Sequence, residues 1–134
     1  MVVYIFIAAV LILLLLELFL VSRKKRQFGE KEKAFVLAEW QKIISHSEGG
    51  DKQAVIESDK LFDYVLRKKG YSGTLAEKLQ KAEKLFTNCD EVWSAHKLRN
   101  KIVHEVGFEP SEKQMELILA AFANAFRDLG VNVK

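Results

Sequence analysis

Cysteine, proline and glycine are scarce in this chain. Its 134 residues include one cysteine, Cys89, one proline, Pro110, and seven glycines. A single cysteine excludes an intramolecular disulfide framework and any multi-cysteine zinc site, and it suits a reducing compartment. So few prolines and glycines exclude a collagen-like or low-complexity chain. No repeat of 20 to 50 residues is visible, which excludes a solenoid, and strand-like alternation is missing outside one apolar run. Gly49-Gly50 lacks the surrounding motif of a phosphate loop, so nucleotide binding through such a loop is not supported. No cofactor is implied.

Against these scarcities stands a long apolar run. From Val2 to Val21, nineteen of twenty residues are apolar and only Glu17 interrupts them. At about 1.5 Å per residue the run reaches roughly 30 Å, the thickness of a bilayer's hydrocarbon core. A secretory signal peptide is the competing reading, but no basic residue precedes the run and no small-x-small cleavage site ends it. A retained single-pass anchor over residues 1–22 is therefore expected. Arg23-Lys24-Lys25-Arg26 comes directly after, within a basic juxtamembrane linker over 23–30. The positive-inside bias then puts the C-terminal portion in the cytoplasm, behind a plasma or inner membrane. The same cluster suits anionic lipid, and Glu17 either reaches toward the interface or faces another membrane helix.

The net charge of +3 invites a nucleic-acid reading, but the balance is local. Setting aside Glu17 and the four clustered basic residues leaves 17 basic and 17 acidic residues in 27–134. A neutral domain lacks the broad basic footprint of a nucleic-acid binder, so RNA contact would need a local patch such as Arg67-Lys68-Lys69 or Lys97, Arg99 and Lys101.

The remaining residues, 31–134, read as helix after helix, giving an all-α class. Phe35, Leu37, Ala38, Trp40, Ile43 and Ile44 mark one helix, and Ala54, Val55, Leu61, Phe62, Val65 and Leu66 line a second that Gly70 ends. Thr74 and Glu77 form a capping-box pattern ahead of Leu75, Leu79, Ala82 and Phe86; Asn88 and Glu91 repeat that signal. Ser111 and Gln114 open a last helix that carries Met115, Ile118, Leu119, Phe122, Phe126 and Leu129 and stops at Gly130. Four or five helices on short connectors predict an antiparallel bundle.

The unusual residues concentrate in Val92–Val106. At 100° per residue, with His96 at zero, Val103, Val92, Val106, Ala95 and Ile102 form a stripe from about −20° to −120°. Arg99, near −60°, falls inside it. Trp93, His96, Asn100 and His104 form a ridge from about 0° to 80°, while Lys97, Lys101 and Glu105 turn outward. An arginine on an apolar face needs a partner, which Asp59 or Asp63 on the second helix would supply. His96 and His104 are about 12 Å apart along the axis, too far for one metal ion, so no metal is expected.

Arg99-Asn100-Lys-Ile-Val-His104 resembles the R-x4-H motif of the HEPN superfamily, all-helical domains found in many RNA-cleaving toxins. The resemblance extends in helix order over about residues 31–130, but its specific part is these six residues. It implies a metal-independent endoribonuclease working as a dimer, with Arg99 stabilising phosphate charge, Asn100 orienting the site and His104 transferring a proton. Many domains of this superfamily are silent, and the alternative is an anchored adaptor. That adaptor would use the ridge of Trp93, His96, Asn100 and His104, with neighbouring Lys97 and Lys101, to bind a second copy or another protein. The interaction module is the preferred expectation; RNA remains a possible partner of the second reading. Cys89 has no cysteine or base nearby and reads as structural.

Overall fold

The structure, a computed structural model, describes residues 1–23, 28–47 and 51–134, with the side chains of the first helix described as far as Leu18. Among the described residues every regular element is helical: α1 (Val2–Arg23), α2 (Glu30–His46), α3 (Lys52–Lys68), α4 (Leu75–Ala82), a 3-10 turn (Glu83–Leu85), α5 (Cys89–His104) and α6 (Glu112–Asp128). The all-α expectation holds, with five helices after α1.

The helix boundaries reflect local chemistry. Thr74 and Ser111 each accept a hydrogen bond from the backbone three residues on, while Glu77 and Gln114 reach back to the cap amide, completing two capping boxes. Asp51 and Asn88 cap α3 and α5 in the simpler one-way manner. At the end of α3, Gly70 takes φ +94°, and Tyr71 N–H bonds to Leu66 O while Gly70 N–H bonds to Arg67 O. This is a Schellman closure, which needs a left-handed residue where glycine has no Cβ penalty.

A helical bundle forms around α3, which packs on α2, α4, α5 and α6. Phe62, fully buried, sits at its centre with Phe86, Phe122 and Phe126 at centroid distances of 5.7, 5.7 and 6.0 Å. Such tilted and edge-on contacts add about 0.5–1.5 kcal/mol each beyond the area they bury. Three features lie outside the helical pattern. Phe28, expected in the linker, is buried with the core. Val131 and Val133, beyond the last helix, are buried too; Trp40 Nε1–H donates to Lys134 O and Arg127 Nε–H to Val133 O, holding the segment 131–134 down. Phe35, expected inside, is 47% exposed.

In α1 every side chain from Val2 to Leu18 is exposed, Glu17 included. Among the described residues no helix is long and apolar enough to cross a membrane. The described side chains, Val2 to Leu18, cover about 26 Å, a little under the ~30 Å of a hydrocarbon core. Arg23 closes α1; Lys24, Lys25 and Arg26 lie outside the described residues.

Candidate functional site

Helix α5 carries the candidate residues, and its burial pattern differs from the stripe expected of it. Val92, Ala95 and Leu98 are buried, so the inward face centres near −100° on the same wheel. Leu98 joins the core, whereas Val103 is 44% exposed and Val106 is fully exposed. The helix stops at His104, two residues earlier than expected: Glu105 turns to extended backbone, and Gly107 takes φ +77°. Val103 and Val106 therefore lie in and beyond the last turn rather than on the core.

The inward edge of the ridge closes into a ring of four side chains. His96 Nδ1 lies 2.9 Å from Asp59 Oδ1, Arg99 Nη1 donates to Asn100 Oδ1 at 3.0 Å, and Asn100 Nδ2 lies 3.3 Å from His96 Nε2. Arg99 Nε completes the circuit 3.3 Å from Asp59 Oδ2. The donor inventory dictates the direction of every bond. Arginine has no acceptor, so Asn100 must present its oxygen to Arg99 and its amide nitrogen to His96. His96 Nε2 then accepts, its proton sits on Nδ1, and Nδ1–H donates to Asp59. Both ring nitrogens of His96 are thereby occupied.

Asp59 is 4% exposed, and two α5 residues converge on it. Of the two acids that sequence reasoning allowed Arg99, the fold selects this one. Asp63 instead pairs with Lys78 at 2.7 Å; Lys78, 5% exposed, carries no sequence signal of a buried cation. Asp59 and Asp63 stand one turn apart on α3, about 6 Å along its axis and about 40° around it, and their partners come from α5 and α4 respectively. The Arg99 contact is close enough for an ion pair but misaligned for hydrogen bonding, leaving the buried Nε–H without a hydrogen-bond acceptor. A buried donor in that state costs about 1–3 kcal/mol.

The other candidate residues separate from the ring. Trp93 is half-buried with its ring 6.4 Å from that of His96, edge-on. Lys97 and Lys101 are exposed, and Lys101 Nζ stands 5.9 Å over the Phe108 ring. His104 is exposed at the end of α5. It is about 7.5 Å along the axis and about 140° around from Arg99, so the two do not meet within one chain. A cavity of about 390 Å³ opens beside the ring, walled by Asp59, Lys60, Asp63, Thr74, His96 and Arg99. His104 is not part of it. Among the described residues no group of histidine, cysteine and acidic side chains is placed to hold a metal ion.

Two groups elsewhere have displaced acidities. Burial, aided by Glu83 and Asp90 and opposed by Trp93, pushes the Cys89 thiol up, away from the reactive thiolate. The Thr74 backbone and side-chain hydrogen bonds hold Glu77 below its ordinary value of 4.5.

No protein-family model matches the chain, no curated protein matches it, and no solved structure matches it.

Proposed function

We propose that this chain is a single-pass membrane-anchored helical domain that acts as an interaction module on the inner face of the membrane. The observation that carries the proposal is the contrast between α1, apolar around its whole circumference and exposed, and a bundle whose partly buried polar side chains bond to one another. A helix apolar on all sides is stable only inside a large core or a bilayer, and among the described residues no core surrounds α1. The apolar residues continue in sequence to Val21, which brings the run to about the hydrocarbon thickness, and Arg23 to Arg26 orient it. The exposed end of α5, with Val103, His104 and Val106, offers contact to a second copy or another protein. Apolar side chains edged by polar ones compose most such interfaces. The test is the full chain in vesicles: retention through an alkaline wash, and crosslinking through Val103→Cys in a Cys89→Ser background. Release by the wash, or an uncrosslinked monomer at high protein density, sinks the proposal.

A second reading, a metal-independent endoribonuclease of HEPN type, draws on two observations beyond the motif. Arg99 lines an open cavity, and His104 is exposed with its ring outside the polar ring around Asp59. It requires a dimer that brings one chain's Arg99 toward the other's His104. Cleavage of labelled RNA in EDTA that His104→Ala abolishes supports it; equal cleavage by both proteins rejects it.

A further inference from the structure

Phe28 is the point at which the chain leaving α1 enters the bundle. It is buried at 8% exposure, five residues after Arg23 ends α1. Five residues span at most about 18 Å when fully extended, so the end of the bundle that holds Phe28 stays within that distance of the end of α1. If α1 is an anchor, that end of the bundle cannot leave the membrane surface.

The same end is basic. Lys69 Nζ lies 5.9 Å over the Phe28 ring, which places the C-terminus of α3 beside the start of α2. Arg67 and Lys68, both exposed, hold their cations 5.8 and 5.5 Å over the Tyr64 ring. Lys31 and Lys33 belong to the first turn of α2, and Lys81 reaches the adjoining loop by donating to Ser72 O at 2.9 Å. Among the described residues of these segments the acidic groups are Glu30, Glu32 and Glu77, against six basic ones. Glu30 is paired with Lys33 at 2.8 Å, Glu32 folds back over the Gly29 backbone, and Glu77 is engaged by Thr74. The half-exposed Phe35 ring lies tilted against Tyr64 with centroids 5.3 Å apart, adding aromatic surface of the kind that sits at headgroup level.

We propose that this end of the bundle, built on Arg67 and Lys68 with Tyr64 and Phe35, is a second membrane contact that docks the domain onto anionic lipid headgroups. This rests on α1 being the anchor. The tether supplies a high local concentration of lipid, so weak contacts suffice, and each basic residue near an anionic surface changes the docked population about fivefold. Docking holds the open end of α3 and the α3–α4 loop against the bilayer. It leaves the exposed residues of α5 to be met by a partner.

The test uses the full chain with Cys89→Ser and Ser72→Cys, a donor dye on residue 72, and acceptor-labelled lipid. Vesicles are phosphatidylcholine alone or with about one third phosphatidylserine, which sets the negative surface potential. Energy transfer from residue 72 is expected to be higher in the anionic vesicles. It is expected to fall to the neutral-vesicle level in Arg67→Gln/Lys68→Gln and, without any substitution, in high salt. Equal transfer in both lipids and at both salt concentrations, from a chain that resists an alkaline wash, overturns the docking proposal and leaves the anchor standing. A chain that the wash removes from both vesicles overturns both. Equal transfer together with capture of a labelled RNA, lost in Arg67→Gln/Lys68→Gln, reassigns the patch to nucleic acid and also overturns it.

Discussion

Helices α1 and α5 depart from the usual inside-outside pattern in opposite directions. Along α1 the apolar side chains Val2 to Leu18 face outward, and in α5 the polar side chains His96, Arg99 and Asn100 turn partly inward. Each departure is costly until something answers it. Of the α5 residues, His96 and Arg99 are met within the chain by the carboxylate of Asp59, and Asn100 bonds to both of them. Those of α1 stay exposed among the described residues. A polar misfit can be satisfied by one well-placed residue because hydrogen bonds and ion pairs are directional and short. An apolar helix surface needs an environment, because its stabilisation scales with area.

The largest effect that tests this contrast is expected at Asp59. Asp59→Ala removes the group that answers both His96 and Arg99, and breaking a buried pair in this way costs about 3–5 kcal/mol. Urea unfolding of Asp59→Ala should show that loss, with Asp59→Asn falling between it and wild type. A loss below about 1 kcal/mol would mean that the ring is incidental. On the other side, Leu13→Arg places a charge at the middle of the apolar run, at an insertion cost of about 2.5–3.5 kcal/mol. Membrane retention should fall while the melting of the bundle is unchanged, and equal retention would refute the anchor.

Smaller effects probe the bundle side more finely. Asp63→Ala leaves Lys78 buried without its partner, but the partly exposed carboxylate limits the loss to about 1–3 kcal/mol, measurable by the same unfolding. His104→Ala should stay within about 0.5 kcal/mol of wild type, as expected of an exposed side chain outside the ring. The least of them is one of pH. Because Thr74 lowers the Glu77 pKa in the folded state, the cap's contribution is present above the ordinary value of 4.5 and is lost as pH falls through the folded-state value. In Glu77→Gln that part of the acid dependence should vanish, which thermal melts from pH 6 down to pH 3 would show.

Helix ends are legible in the residues because caps are local: Thr74 with Glu77, Ser111 with Gln114, and Gly70 and Gly130 at positive φ all act within a few positions of one another. The end of α5 is less legible. Apolar residues continue to Val106, yet the helix stops at His104, where Glu105 leaves the helical conformation. Of the candidate site, the wheel places Arg99 near the core and names two acids that could answer it. It cannot assign the Asn100 and His96 bonds, because those depend on Asp59 being 2.9 Å from His96 across two helices. Phe28 and Val131 to Val133 carry no periodic signal at all, being single apolar residues in irregular backbone.

Composition and contacts a few residues apart suffice to fix the apolar run, the neutral charge of residues 27–134 and where most helices start. Folding in three dimensions was needed to choose which acid answers Arg99, to engage both ring nitrogens of His96 and to leave His104 outside. Those outcomes depend on the phase of α5 against α3, in which Val92, Ala95 and Leu98 are the buried residues of α5. Packing between these helices joins side chains far apart in the chain, whose separations no local pattern encodes.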